Sequence, residues 1–376
     1  AVAACLNNIG PGLELVGASV RTTSGPSQPI ALVDSLDARG LQGEFGIFDP
    51  PSQAAPEVWD GVRVMRGVTR LMGSLTLQPG TQLKMAPGAS LIIEGKLLAL
   101  GTESEPIRVG PLEEGQEAWG VLALRSHRAD GSRLAHVQIR AGSGLQDDLQ
   151  EFSGMFSIHD ARDVHLTDCR FEDSQRVDDM VHAAYTDQLV FERCTFLNSH
   201  SDALDLDGCS GALVDSTILA SGNDAVDLMM SRFAVVRSRL ERSGDKGVSV
   251  GENSQALVVD SLLRGNLSGL QSKDASILWV RGGSFERNQT SVGAFQKNWR
   301  YGAGGTGLLE RVRFEGDGDA EADKRSALWF VDCEGTDDWK SDKHIQHIQR
   351  DPRDSAAIAW PGAHTFQTDP VFAPWL

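Results

Sequence analysis

Aspartates recur at a fixed spacing in the middle of the chain. Asp202 and Asp224 lie 22 residues apart, and Asp205 and Asp227 repeat the same interval. Carboxylates that come close together in a folded protein can share a proton and act as general acid and base, or they can bind Ca²⁺. The chemistry therefore depends on a fold that brings positions 22 residues apart next to each other.

The same interval governs the small residues around these aspartates. It places five of them in one column: Ala203, Ala225, Gly247, Gly269 and Ser291. Each interval holds a polar turn, a short alternating strand, a second turn and a second short strand, with no helical pattern. A fixed period in the low twenties is typical of a solenoid. The sequence predicts an all-β solenoid whose coils stack about 4.8 Å apart.

Three segments follow from this interpretation. Residues 57–335 carry the short alternating strands and are predicted to form the solenoid, with a Gly-rich insertion at 299–307 bulging from one coil. Residues 1–56 and 336–376 are predicted to cap its two ends, because an open end would expose an unpaired sheet edge. The second cap contains HIQHIQ, which we expect to form a strand.

Strand alternation separates inward from outward residues. The predicted inward residues are Val181, Ala183, Leu204, Leu206, Val226, Leu228, Val248 and Val250. The predicted outward row is His182, Asp205, Asp227, Ser249 and Gln271. A second row holds Asp207 and Lys273, and a row in the preceding turn holds Asp202, Asp224 and Lys246. The column of small residues is expected to leave room above the sheet.

Stacked carboxylates are unfavourable unless something compensates their charge. Three things could compensate the charge: calcium bound by Asp205 and Asp227, a proton shared between carboxylates, or neutralisation by nearby lysines and a histidine. Aspartates that accept turn N–H groups are the structural alternative. The candidate catalytic residues are Asp202, Asp224, Asp227, Lys246 and Lys273. The candidate substrate-binding residues are His182, Asp205, Asp207, Gln271, Lys297 and Tyr301.

Composition narrows the class of partner and the compartment. A net charge of −17 argues against nucleic acid, whose phosphates need clustered Lys and Arg. No apolar run approaches the length of a membrane span. The start AVAAC resembles a trimmed export junction, with an artificial chain boundary as the alternative.

The five cysteines give no disulfide framework. Cys169 and Cys194 share a repeat column with serines, which predicts small inward residues, and a disulfide between them is the alternative.

The coils resemble the right-handed parallel β-helix of the pectin-lyase-like superfamily. The succession SDALDLD, GNDAVDLM, GDKGVSVG and GLQSK is similar in order and spacing to the catalytic coils of polygalacturonases, which carry Asn-Thr-Asp, Asp-Asp, Gly-His-Gly and Arg-Ile-Lys. That resemblance implies catalytic carboxylates at Asp202 and Asp224 and a substrate-binding lysine at Lys273. The chain departs from the polygalacturonase pattern at Asn223, Lys246 and Gln271.

A second resemblance covers most of the chain. The phrases GDKGVSVGENS and LTLQPGTQLKMAPGASLIIEGKLLALGTESEPI are similar to uncharacterised bacterial surface β-helix proteins. It implies a secreted, periplasmic or cell-surface protein. The expected function is binding or processing of a polysaccharide on an acidic outer groove, as a hydrolase or a calcium-dependent lyase. The alternative is a non-catalytic component of a surface assembly, with other surface proteins as partners.

Overall fold

A computed structural model describes residues 18–20, 28–30, 55–147, 150–349, 360 and 362–376. The chain divides into two compact units, residues 1–53 and 54–376. In the first unit Ala18–Val20 pairs antiparallel with Gln28–Ile30. The rest of the predicted N-terminal cap, up to residue 54, lies outside the described residues.

The second unit is built from three long sheets. Sheet A has 13 strands: Glu57–Trp59, Leu75–Leu77, Leu97–Leu100, Arg133–Ala135, His165–Thr167, Leu189–Glu192, Ser210–Val214, Arg232–Val236, Gln255–Val259, Ile277–Arg281, Thr306–Glu310, Ala327–Val331 and Ile345–Ile348. Sheet B has 11 strands: Val62–Met65, Gln82–Met85, Ile107–Pro111, Val137–Arg140, Arg170–Glu172, Thr195–Leu197, Thr217–Leu219, Arg239–Glu241, Leu262–Arg264, Ser284–Glu286 and Arg313–Glu315. Sheet C has 11 strands: Val68–Leu71, Ser90–Ile93, Leu122–Arg125, Gly154–His159, Asp179–Ala184, Asp202–Asp207, Val226–Met229, Lys246–Gly251, Ser268–Lys273, Thr290–Phe295 and Glu321–Ala322.

Eleven successive coils contribute one strand to each sheet, and neighbouring strands pair in parallel. Ala327–Val331 and Ile345–Ile348 then extend sheet A alone. In sheet C the outward row predicted from the sequence is a row of register neighbours: His182 pairs with Asp205, Asp205 with Asp227, Asp227 with Ser249, and Ser249 with Gln271. The all-β parallel solenoid and its 22-residue coil are confirmed. The remaining elements are an antiparallel hairpin and short helices: Leu145–Asp147 with Gln150–Phe152, His127–Ala129, Ala363–Thr368 and Ala373–Trp375.

The core lies inside the coils. The eight inward residues predicted in sheet C are all buried. Full burial of an aliphatic side chain stabilises a fold by about 1.5–3 kcal/mol, so each coil adds several such contributions. Aromatic rings continue the stack between coils, as where Phe171 and Phe196 lie 5.0 Å apart and nearly parallel.

A series of hydrogen bonds between small residues joins successive coils at one corner. The backbone N–H of Cys194 donates to Ser216 Oγ at 2.9 Å, and the N–H of Ser216 donates to Ser238 Oγ at 3.1 Å. Ser238 continues the series to Ser261 in the same way. Cys169 and Cys194 are buried free thiols in this column. The predicted small inward residues are thus present, and the disulfide is not.

The column of small residues has a different role from the one expected. Ala203 and Ala225 are buried in the core rather than lying open above sheet C. A Cβ added to Gly269 would lie 2.8 Å from the Phe285 ring, and one added to Gly247 would meet the next coil's backbone at 2.5 Å. The strand starts with consecutive buried positions, so simple alternation fails there. These residues are small because another coil packs against them.

The described part of the C-terminal segment lies against the outer face of sheet A. Trp360, Phe366 and Phe372 are buried there with residues of sheet A that include Ala234, Val236 and Leu257. Arg232 Nη1 lies 3.1 Å from Asp369 Oδ2, across 137 positions of sequence. Trp339 of the same segment packs against Phe314 and Phe330 of the last coils, and the cap over that end stays a prediction. HIQHIQ does form the last strand of sheet A, as predicted. No helix within the described ranges is long and apolar enough to cross a membrane.

Candidate functional site

The outward face of sheet C carries the predicted site residues. At its beginning, Phe152 from the hairpin covers Ile92, Val121 and Ala123 and closes that part of the face with apolar contacts. The polar row starts immediately afterwards, where Phe152 stacks on His159 with ring centroids 5.0 Å apart. The hairpin thus defines the end at which the polar surface begins.

Asp202, Asp224 and Lys246 form a buried ladder beside this row. Asp202 Oδ1 accepts the backbone N–H of Asp224 at 2.6 Å and the side-chain amide of Asn223 at 2.8 Å. Asp224 Oδ1 in turn accepts the backbone N–H of Lys246 at 2.8 Å, and Lys246 Nζ lies 3.2 Å from the same oxygen. Lys246 Nζ also contacts Asp245 Oδ2. These three residues were predicted to be catalytic. In the structure their side chains form contacts between neighbouring coils.

Burial shapes the protonation of this ladder. It raises the pKa of Asp202 to about 7, with the nearby Asp224 and Asp227 adding to the rise and its hydrogen bonds opposing it. Burial also raises the pKa of Asp224 to about 6, against the attraction of Lys246. Burial lowers the pKa of Lys246, but the carboxylates of Asp224 and Asp245 outweigh it and the net pKa is raised. A lysine held protonated in this way is poorly suited to act as a base.

Acidic and imidazole groups gather at the start of the outward row. Asp179, His182 and Asp205 each offer one ligand atom, and these atoms all lie within 4.8 Å of one another. His182 Nδ1 lies 3.0 Å from His159 Nε2, and His182 Nε2 lies 3.5 Å from Asp207 Oδ2. Burial lowers the pKa of His159 to about 3, so this ring is neutral near pH 7. The grouping can hold a cation between oxygen and nitrogen donors.

Calcium was the cofactor expected from the stacked aspartates. Burial, followed by the charges of Asp179, Asp207 and Asp227, raises the pKa of Asp205 to about 10. This crowding shows that the cluster favours a compensating positive charge. Calcium takes about six to eight oxygen ligands, however, and the grouped donors include the imidazole of His182. The donor set at this end of the row therefore fits calcium poorly.

The other end of the row is basic and polar. Lys273 lies over Gly251, where an added Cβ would be 2.3 Å from Lys273 Cε. Burial and the charges of Lys246 and Lys273 lower the pKa of Lys297. Ser249 Oγ and Gln271 Oε1 are buried without a hydrogen-bond partner in the described part of the chain. The charge of the outward face thus changes sign between Asp227 and Lys273.

The insertion at 299–307 stands next to this basic end. Asp274 Oδ1 accepts the backbone N–H groups of Lys297 and Asn298 at 2.8 and 2.7 Å, which fixes the start of the insertion. Gln296 Nε2 donates to the carbonyl oxygen of Tyr301. Trp299 is 82% exposed, whereas Tyr301 is half-buried. The loop therefore presents an indole ring to solvent beside Lys297.

The structure brings together most of the predicted site residues on one face. His182, Asp205, Asp207, Asp227, Gln271 and Lys273 lie outward in sheet C, while Asp202, Asp224 and Lys246 are buried beside them. Sequence reasoning did not select Asp179 and His159 as site residues. Both stand in the same repeat columns as selected residues, and that was the available signal. Their contacts with His182 depend on side-chain directions that periodicity does not give.

Comparison with known proteins supports this architecture. A family model described as "Right handed beta helix region" matches residues 179–304. The fold is a right-handed parallel β-helix. The mannuronan C-5 epimerase AlgE6 A-module of Azotobacter vinelandii superposes with a TM-score of 0.53 at 11% identity, covering 79% of this chain and 90% of that one. The periplasmic alginate epimerase AlgG gives a TM-score of 0.47 at 11% identity, covering 78% of each chain.

None of the curated proteins matches the chain. At 11% identity the likeness to the AlgE6 A-module shows the parallel β-helix fold and nothing finer. Function must therefore be argued from the side chains of this chain.

Proposed function

We propose that the outward face of sheet C binds an acidic polysaccharide. The observation that carries this proposal is Gln271, whose Oε1 has no hydrogen-bond partner among the described residues; its register neighbour Ser249 is fully buried and supplies no surface contact. Buried polar atoms in native proteins nearly always have a partner. A glycan laid along the sheet offers a hydroxyl to each coil in turn.

The charges beside this pair indicate an acidic glycan. Lys273 and Lys297 form no ion pair with a carboxylate in the described part of the chain, in contrast to Lys246. Burial, followed by the charges of Lys246 and Lys273, lowers the pKa of Lys297, so its ammonium group is disfavoured there without a partner. Sugar carboxylates or sulfates above Lys273 and Lys297 would supply that partner. A mannuronan C-5 epimerase module has a similar fold, which agrees with a polysaccharide ligand.

Cleavage of the bound chain is a second candidate. Asp205 and Asp227 are register neighbours on the outward face, so their carboxyl groups are about one strand spacing apart. That separation is close to the roughly 5–5.5 Å between the carboxyl groups of retaining glycosidases. The pair Asp202 and Asp224 serves less well, because both carboxylates accept backbone N–H groups of the next coil.

The proposal also carries an expectation about location. Polysaccharides of this kind lie outside the cytoplasm, so we infer that the protein is secreted, periplasmic or at the cell surface. If the face binds no glycan, the alternative proposal is a non-catalytic role in a surface assembly, with other surface proteins as partners.

A binding screen tests the function. Immobilised acidic polysaccharides and neutral polysaccharides of matched length are incubated with the protein, and retention is measured at low and at raised salt. We expect retention on acidic chains, weakened by salt because exposed charges are screened. Equal retention on neutral chains, or none on any chain, would contradict the proposal. Reducing-end release and absorbance of unsaturated uronate in the same samples separate hydrolysis, elimination and binding without cleavage.

A further inference from the structure

We propose that Asp179, His182 and Asp205 bind a divalent metal ion of the zinc class at the start of the outward row. The first two residues belong to the strand Asp179–Ala184 and the third to its neighbour Asp202–Asp207. In register, His182 stands directly opposite Asp205, and Asp179 stands opposite the first residue of that strand. The three donor atoms lie within 4.8 Å of one another. The parallel pairing of two coils holds them in this arrangement.

The imidazole of His182 is oriented as a metal-binding histidine usually is. Such a histidine donates its second ring N–H to a neighbouring acceptor, which fixes its tautomer. Here His182 Nδ1 lies 3.0 Å from His159 Nε2, and Phe152 holds the His159 ring by stacking. In the tautomer in which Nδ1–H donates to His159, Nε2 of His182 keeps its lone pair.

That lone pair faces a further carboxylate. Asp207 Oδ2 lies 3.5 Å from His182 Nε2. Two ligands of a tetrahedral zinc ion, with bonds of about 2.0–2.2 Å, are about 3.4 Å apart. Asp207 thus adds a fourth oxygen donor next to the three that define the cluster. A zinc-class ion is favoured over calcium because it accepts imidazole nitrogen and needs few ligands.

The charge balance gives independent support. No lysine or arginine among the described residues forms an ion pair with Asp179 or Asp205, and no described group donates a hydrogen bond to the Asp205 carboxylate. Asp179 is only 2% exposed. Buried carboxylates normally have a paired charge or a metal ion. Lys246 fills that role for Asp224, two coils after Asp179, whereas Asp179 and Asp205 have no ion-pair partner of this kind among the described residues.

Close packing against the preceding coil holds the strand that carries Asp179 and His182. Gly154 is the register partner of Asp179 in the preceding coil. A Cβ at Gly154 would lie 2.7 Å from the backbone nitrogen of His182 and 3.0 Å from its Cβ. A larger residue there would displace the strand that supplies two of the ligands.

The test is zinc binding by the full chain after dialysis against a chelator. Zinc chloride is titrated by calorimetry into the wild type and into His182→Gln, Asp205→Asn and Asp179→Asn, with His200→Ala as the matched control. We expect the wild type and His200→Ala to bind one zinc ion more per chain than each ligand variant, and zinc to raise the melting temperature only of those two proteins. Equal stoichiometry in the wild type and all three ligand variants would overturn the proposal.

Two further arms decide the ion and the ligand set. Excess calcium should leave the zinc bound, and displacement by calcium would overturn the assignment to the zinc class. Asp227→Asn should retain the zinc ion, because Asp227 is outside the cluster. If this variant loses the zinc ion, the metal lies at Asp205 and Asp227 instead. The cobalt(II)-substituted wild type should show visible absorption that His182→Gln lacks, a readout that does not depend on stability. Zinc binding also decides the role of Asp205, because a metal ligand cannot serve as the acid of a retaining pair.

Discussion

The carboxylate of Asp202 accepts the backbone N–H of Asp224, the equivalent residue one coil further on, at 2.6 Å. The carboxylate of Asp224 repeats this contact with Lys246 at 2.8 Å. Two aspartates whose spacing suggests a catalytic pair therefore join three consecutive coils. The outward row next to them, from His182 to Gln271, is left to contact a ligand.

Protonation of Asp202 and Asp224 is predicted to stabilise the protein as the pH falls from about 8 to 5.5, opposed in part by His159, whose lowered pKa costs stability below about pH 6.5. The folded-state pKa values of Asp202 and Asp224, about 7 and about 6, lie above the ordinary value of 3.8. The native state therefore holds more protons, and this contribution is full at low pH and lost as the pH rises through 6 to 7. One pKa unit corresponds to about 1.4 kcal/mol, so the effect is on the order of a few kcal/mol. Melting temperature against pH measures it.

The variant Asp202→Asn isolates this effect. Its amide cannot ionise, so the rise in melting temperature on acidification should shrink. Asp168→Asn is the control, because Arg193 lowers the pKa of Asp168 and this carboxyl cannot cause the trend. An unchanged slope in Asp202→Asn would show that the buried ladder does not titrate in this range.

Removal of the Lys246 ammonium group is predicted to destabilise the coils strongly. Lys246→Met leaves the buried carboxylate of Asp224 without its cation, which costs about 3–5 kcal/mol. The double variant Asp224→Asn/Lys246→Met should recover much of that loss. Lys273→Met is the matched control, since Lys273 has no ion pair among the described residues. Denaturant unfolding measures the free energies, and strictly additive losses would rule out the ion pair.

Truncation of Phe366 is predicted to release the C-terminal segment from sheet A. Its ring is fully buried and lies 5.6 Å from Trp279 and 4.7 Å from Phe372. Phe366→Ala should cost about 3–5 kcal/mol and expose Trp279 to a soluble quencher of indole fluorescence. Gln367→Ala, at an exposed neighbouring position, should change neither quantity. Unaltered quenching in Phe366→Ala would mean that the segment is held elsewhere.

The substitution Gln271→Ala is predicted to weaken binding of an acidic oligosaccharide about five- to tenfold, because one hydrogen bond contributes about 1–1.4 kcal/mol. Gln255→Ala is the matched control: Gln255 Oε1 is also buried without a described partner, but it lies in sheet A. Calorimetric titration compares the two variants with the wild type. Equal affinities in all three proteins would exclude Gln271 from the binding face.

Much of this architecture could be predicted from periodicity. A period of 22 residues places His182, Asp205, Asp227, Ser249 and Gln271 in one row, and the observed register agrees. Periodicity fails where the backbone departs from simple alternation. Ala203 and Leu204 are both buried in succession, so a column expected above the sheet lies in the core.

Other features depend on contacts that no repeat encodes. The pairing of His159 with His182 requires both rings to turn toward each other, and Phe152 from a non-repeating hairpin sets one of them. The C-terminal segment returns to sheet A over more than a hundred residues of sequence. The sequence indicates that the apolar residues of this segment cover part of the solenoid, but not that they cover sheet A.

The central claim is that the outward face of sheet C holds an acidic glycan. A crystal structure of the protein with a bound acidic oligosaccharide tests it most directly. We predict sugar density along sheet C, with a hydroxyl hydrogen-bonded to Gln271 and an acidic group within ion-pair distance of Lys273 or Lys297. Sugar bound on sheet A or sheet B, with the outward row of sheet C contacting only solvent, would contradict it.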